Sequence, residues 1–300
     1  MNPRAPTLAA GTLFASLLLG QQPPVQPNKT FTVDVDLVLV TVTVTDNRSR
    51  FVQGLTGKNF LIWEDKVEQE IQAFSAEDTP ISLGIILDRS GSMGGKRPKP
   101  GELISQNRTW IYSCLKDALK EDEYFLIEFS DRPEVIVDFT TDTAKITKSL
   151  PFLSAGGSTA LWDSIYAGVA KVRDGVNARK ALLVLTDGLE NHSRYSLSEL
   201  KGAVRETDVR IYGMDRVEVQ FDGLHQLVDI TGGRVFRSAR PCKELGADLR
   251  NQYVIGYRPT NRAADGAWRD IQVKINEASL PKGISNLTVR ARKGYTADSK

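Results

Sequence analysis

The chain has 300 residues, 41% of them hydrophobic and 25% charged, with a formal net charge of +2. These are the proportions of a globular chain that can bury a core, as one large domain or two smaller ones. The near-neutral balance, with no basic cluster interleaved with aromatics, excludes the electrostatic footprint of a nucleic-acid binder.

The first segment carries Arg4 and then an apolar run over 7–20 that includes Leu8, Leu13, Phe14, Leu17, Leu18 and Leu19. A positive start, a short apolar stretch and a polar Gln/Pro sequence from Gln21 read as a secretory signal over 1–20, the alternative being an uncleaved anchor. Residues 21–30 read as a disordered leader. No later segment approaches the roughly 20 apolar residues of a membrane helix, so no transmembrane span is expected after signal removal. The expected location is outside the cytoplasm: extracellular, periplasmic or held in the cell envelope. The two cysteines, Cys114 and Cys242, are too far apart for a metal knuckle. Export permits a disulfide between them, whereas the helical stripe of Ile111, Cys114, Leu115 and Ala118 favours a buried thiol. Five Asn-x-Ser/Thr sequences begin at Asn28, Asn47, Asn107, Asn191 and Asn286. They matter only in a host that glycosylates exported chains.

Residues 31–45, FTVDVDLVLVTVTVT, are a strong strand signal whose alternation changes phase, so a bulge or a switch between sheets is expected near 37–39. Short strands follow at 60–63 and 71–74, separated by a turn around Asp65 and Lys66. From residue 81 the pattern changes. The run over 81–87 is almost wholly apolar, as expected of a parallel strand buried on both faces. Helices are predicted over 103–120, 160–172, 197–207, 224–231 and 243–251, and strands over 124–129, 135–137, 181–185, 209–213 and 234–236. This alternation predicts an α/β unit over 80–251: a doubly wound, mostly parallel sheet of about six strands with helices on both faces. After Gln252 the chain returns to strands, at 253–257, 271–275 and 287–289. Each flank has too few strands to bury a face alone, so 31–78 and 252–296 are expected to pack as one β-sandwich-like domain with the α/β unit inserted between them.

The chemistry concentrates at three loops. Asp88-Arg89-Ser90-Gly91-Ser92 leaves the buried strand, where doubly wound sheets bind ligands. Gly156-Gly157-Ser158-Thr159 opens a helix, and Thr186-Asp187-Gly188 ends a second buried strand. Carboxylates and hydroxyls on one rim are hard oxygen donors of the kind Mg²⁺ takes. Taken singly, each segment also reads as an ordinary turn. Together, DRSGSM, GGSTALWDSI and LTDGLEN resemble the metal-ion-dependent adhesion site of von Willebrand factor type A domains. VTVTDNRSRFVQGLTGKNFLIWEDKVEQEIQAFSAEDTPISLGIILDRSGSM, QYVIGYRPTNRAADGAWRDIQVKI and the closing RARKGY resemble an exported bacterial family related to those domains. The resemblance covers nearly the whole mature chain. It implies a metal site of Asp88, Ser90, Ser92, Thr159 and Asp187 holding Mg²⁺, with Mn²⁺ or Ca²⁺ as alternatives. It further implies direct ligation by Ser90 and Ser92, ligation partly through water by Asp88 and Asp187, and engagement of Thr159 when a ligand arrives. The basic loop GGKRPKPG over 94–101 departs from the pattern: Pro98 and Pro100 delay the following helix, and on the metal rim the loop reads as solvated surface, the alternative being a ligand contact.

The favoured function is therefore that of a non-enzymatic module that binds an acidic residue of a partner protein through its metal. One alternative is a Mg²⁺-dependent hydrolase of the phosphatase kind, which needs a nucleophile or general base beside the metal. Against it, Asp88 is followed by Arg89-Ser90 rather than a second carboxylate, no Gly-rich phosphate loop ending in Lys-Ser/Thr occurs, and His192 reads as a loop residue. The other alternative is a structural envelope protein whose metal only tightens the fold.

Overall fold

A computed structural model describes residues 37–94, 102–116, 118–152, 154–187, 190–214, 222–236 and 241–297. Compactness divides the chain after Val35, and every described residue belongs to the unit from Asp36 onward. The signal and leader segments, the start of the first strand, most of the basic loop after Gly94, and Gly188 lie outside the described residues.

The continuous apolar run becomes β5 (Ile81–Asp88), the centre of a six-stranded sheet. Its neighbours are β6 (Glu123–Phe129) and β8 (Arg179–Leu185), both parallel to it. Beyond β8 lie β9 (Arg210–Met214) and the two-residue β10 (Val235–Phe236); beyond β6 lies β7 (Pro133–Thr140), the one antiparallel strand. All eight residues of β5 are buried, because helices cover both faces. On one face α1 (Glu102–Lys116) and α6 (Pro241–Arg250) pack Ile111, Leu115, Leu245 and Leu249 against the sheet, beside α2 (Thr143–Ser149) with Ile146. The other face is covered by α3 (Leu161–Val172), α4 (Leu197–Arg205) and α5 (Asp222–Thr231), through Ile165, Val169, Leu200 and Leu227. Within the sheet Gly84 of β5 makes room for the side chains of the two flanking strands: a Cβ there would stand 2.2 Å from the Phe125 ring of β6 and 2.6 Å from Leu182 of β8. The chain leaves β5 for β6 on one side and later returns to β8 on the other. The strand order therefore reverses at β5, and the crevice that doubly wound sheets use for ligands opens at the carboxyl ends of β5 and β8.

The remaining strands form two four-stranded antiparallel sheets, each drawing on both ends of the chain. One runs in the order β13 (Thr288–Ala291), β1 (Val38–Thr45), β11 (Tyr253–Tyr257), β4 (Ile71–Ser75). The second runs β14 (Gly294–Thr296), β12 (Trp268–Ile275), β2 (Phe60–Glu64), β3 (Val67–Gln69). Between them Val40, Val42, Val44, Phe60, Ile62, Tyr253, Ile255 and Ile271 form one core. The turn at Asp65 and Lys66 joins β2 to β3 as a two-residue hairpin, both residues at positive φ (46° and 70°), the conformation that matches strand twist.

Local details depart from the sequence expectations. The first helix ends at Lys116, not residue 120. Helix α2 and strands β3 and β14 were not expected; all three are short and lean on neighbours rather than on a period of their own. The described part of the first strand, β1, begins at Val38, pairs with β11 without interruption from Val38 to Val42 and turns its even-numbered residues inward; the residues before the break expected near 37–39 lie outside the described residues. An irregularity lies one strand over, where β11 meets β4 between Gly256 and Tyr257. Leu39 is left 42% exposed. Cys114 is disulfide-bonded, which corrects the reading of a free buried thiol. The side chain of Cys242 lies outside the described residues.

Candidate metal centre

The five predicted residues sit on three loops at the carboxyl ends of β5 and β8. Asp88 is the last residue of β5 and is wholly buried. Its Oδ1 accepts the Ser90 N–H at 2.8 Å and its Oδ2 the Thr186 hydroxyl at 2.6 Å. Both donors are neutral. Burial pushes the Asp88 carboxyl up to about 6, against the lowering effect of these hydrogen bonds, and the negative charge of Asp187 adds to the rise. The two carboxylates are thus close enough to feel each other. Ser90, also buried, and Ser92 lie on the turn after β5 with their hydroxyl oxygens 3.0 Å apart.

Thr159, 2% exposed, ends the second loop immediately before α3. Backbone hydrogen bonds stitch that loop to the first: Gly91 N–H to the Gly157 carbonyl at 2.9 Å and Gly156 N–H to the Arg89 carbonyl at 2.8 Å. Gly157 is required here. It sits at φ +84°, and a Cβ would stand 2.8 Å from the Asp131 carboxylate, which accepts the next N–H, that of Ser158. That bond holds the Asp131 carboxyl below the usual carboxylate range.

Asp187 follows β8 on the third loop and is half-buried. Its Oδ1 is buried and has no hydrogen-bond partner among the described residues. An unpaired buried carboxylate oxygen is costly and calls for a cation. No described Lys or Arg forms an ion pair with Asp88 or Asp187. Two carboxylates and three hydroxyls, without imidazole or thiolate, form a hard-oxygen set that fits Mg²⁺, Mn²⁺ or Ca²⁺. Among the described residues no group of three or more His, Cys, Asp or Glu could hold a metal; three of the five candidate donors are hydroxyls.

Glu190, Asn191 and Ser193, which the sequence does not mark as part of the site, hold the third loop to the start of α3. The available signal was a cluster of acceptors directly after Asp187-Gly188. His192 is an exposed residue of that loop, where the sequence placed it.

Residues 83–190 match the family model of the von Willebrand factor type A domain. The α/β unit, with its parallel sheet and carboxyl-end rim, is a domain of that class. A von Willebrand factor type A protein from Catenulispora acidiphila shares the fold over 88% of this chain and 63% of its own, at 13% identity and a TM-score of 0.50. Proximal thread matrix protein 1 from the mussel byssus, solved with a zinc-occupied MIDAS motif, is similar over 62% of this chain and 49% of its own, at 14% identity and a TM-score of 0.50. An uncharacterized protein of Synechocystis sp. is 28% identical over 116 residues, or 38% of this chain. The matched region spans about a quarter (26%) of that relative's length. Among the described residues no helix is long and apolar enough to cross a membrane.

Proposed function

We propose that the protein is an exported, metal-dependent protein-binding module, with Mg²⁺ held by Asp88, Ser90, Ser92, Thr159 and Asp187 and an acidic side chain of a partner protein as its ligand. The buried Asp187 Oδ1 without a described hydrogen-bond partner, beside a second carboxylate that only neutral groups satisfy, carries the reading. The bound ion would supply an electrophilic position for an anionic oxygen. Only Asp88 and Asp187 bring negative charge, so they do not over-neutralise a divalent ion, and Mg²⁺ keeps exchangeable waters that a Glu or Asp oxygen can replace. Ser90 and Ser92 orient neutral oxygens toward it. Thr159, held at the head of α3, serves the ligand-engaged arrangement. Export rests on the apolar run over 7–20 behind Arg4.

The test is a pull-down of wild type and Asp187→Ala from the surface fraction of the source organism, in Mg²⁺ and in EDTA, with Mg²⁺ calorimetry alongside. Partner capture is expected in Mg²⁺ with wild type only, and Asp187→Ala should retain the wild-type circular dichroism spectrum. Thr159→Ala should weaken partner capture more than Mg²⁺ affinity. Undiminished capture in EDTA or by Asp187→Ala would refute the mechanism. Metal-dependent turnover of phosphate esters would point to a hydrolase instead, and a metal that raises only the melting temperature to a structural role.

A further inference from the structure

The loop after Asp187 and the first turn of α3 exchange hydrogen bonds in both directions. Ala160, at the helix N-cap, has no side chain that can accept one, so the first helical amides need other partners. Glu190 Oε2 accepts the N–H groups of Leu161 at 2.7 Å and Trp162 at 3.1 Å. Ser193 Oγ accepts those of Trp162 at 2.9 Å and Asp163 at 3.2 Å, and donates to Glu190 Oε2 at 2.7 Å. In return, Asp163 Oδ1 accepts the loop N–H groups of Arg194 at 2.9 Å and Tyr195 at 3.0 Å. Within this frame Asn191 grips the backbone of Thr159 at two points. Its Oδ1 accepts the Thr159 N–H at 2.9 Å, and its own N–H donates to the Thr159 carbonyl at 3.1 Å, which also takes the His192 N–H at 3.2 Å.

We infer that Asn191 is a positioning residue of the metal centre: it fixes the backbone of Thr159 against the loop that carries Asp187. The inference rests on the reading of Thr159 and Asp187 as site residues. Oxygens from two separate loops serve one ion only if the loops keep a fixed separation, and groups that orient metal ligands commonly decide affinity by 10–100-fold. The acceptor at the γ-position is what the grip needs; an aspartate carries the same acceptor, whereas an alanine leaves the Thr159 N–H without a partner. Asn191-His192-Ser193 is also one of the Asn-x-Ser/Thr sequences. Its amide oxygen and the Ser193 hydroxyl both take part in this clamp.

The experiment titrates the full chain with Mn²⁺ in excess acetate, a carboxylate stand-in for the partner, followed by electron paramagnetic resonance. It compares wild type, Asn191→Ala, Asn191→Asp and Asp187→Ala in high salt, which screens the carboxylate added by Asn191→Asp. Metal-free melting is recorded in parallel. Asn191→Ala is expected to weaken Mn²⁺ binding by about tenfold or more, with metal-free melting within about 3 °C of wild type. Asn191→Asp should restore the affinity. Wild-type affinity in Asn191→Ala, with binding lost in Asp187→Ala, would overturn the inference and leave the site reading standing. Wild-type affinity in Asp187→Ala would overturn the site reading itself. A fall in metal-free melting that accompanies the affinity loss, unrescued by Asn191→Asp, would make Asn191 a folding residue and overturn its positioning role.

Discussion

Two buried carboxylate clusters lie at opposite ends of the same sheet. At the amino ends of the strands, where the α/β unit meets the sandwich, Asp248 of α6 is wholly buried and saturated. It forms a hydrogen-bonded ion pair with Arg290 of β13, lies 4.0 Å from Arg210 of β9, and accepts the Thr43 and Tyr212 hydroxyls, each at 3.3 Å. At the carboxyl ends, Asp88 is equally buried but, among the described residues, has only neutral donors, and its neighbour Asp187 keeps an oxygen with no described partner. Desolvation is severe at both ends. One cluster is balanced by two guanidinium groups of the chain itself; the other is left electron-rich. Burial therefore does not distinguish a structural acid from a ligand-binding one. The distinguishing feature is whether the chain supplies the countercharge.

The comparison breaks most visibly at Asp248. Removing one partner of a buried charge network leaves the others uncompensated, so Asp248→Ala is expected to cost about 3–5 kcal/mol, read as a shift in denaturant midpoint, with Mg²⁺ affinity unchanged in the folded protein. A cost below about 1 kcal/mol would show that the network is not the clamp described. Asp88 gives the next effect, in the metal-free protein. Its folded-state value of about 6 lies above the ordinary aspartate value of 3.8, so between about pH 4 and pH 6 the folded protein holds a proton that the unfolded chain releases. Stability should fall as pH rises through that window, by about 3 kcal/mol, the two-unit shift converted at 1.36 kcal/mol per unit. Asp88→Asn should flatten that slope; an unchanged slope would assign it to another group.

Metal should act in the opposite direction at the same end. At about 100 times its dissociation constant, Mg²⁺ is expected to add about 2.7 kcal/mol at pH 7, and to release protons on binding near pH 5. Calorimetry in two buffers of different ionisation enthalpy checks the proton release, and equal heats in both would deny it. The smallest effect is expected at Thr43, whose hydroxyl donates to Asp248 and accepts from Arg210 at 2.9 Å. Thr43→Val keeps the shape and loses those bonds, for about 1 kcal/mol. A double-mutant cycle with Asp248→Asn tests whether that loss runs through the carboxylate.

Much of the α/β unit was legible in the sequence, because its signals are local. A run such as 81–87 can only be a strand or helix segment buried on every side, and the turn that follows it carries acid and hydroxyls within five residues. The five candidate site residues could be named because each lies next to such a strand or at the head of a helix. Glu190 and Asn191 were passed over because their roles depend on backbone groups of residues 159–162, about 30 positions earlier, which no local period reveals. The break expected near 37–39 falls where the described strand begins: β1 is regular from Val38 and leaves Leu39 facing outward, and residues 31–36 lie outside the described residues.

What the sequence determined by itself was the set of elements and the chemical content of the rim, since side-chain period and turn chemistry act over a few residues. Tertiary structure decided which distant strands pair. Val42 stands beside Tyr253 and Ala291, more than 200 residues away, a choice made by closing a shared apolar core rather than by either strand's own pattern. It also decided the charges. Local sequence marks Asp187 as the acid at a strand end, but not which acid the chain itself neutralises: only the packed sheet brings Arg210 and Arg290 to Asp248 and no described cation to Asp187.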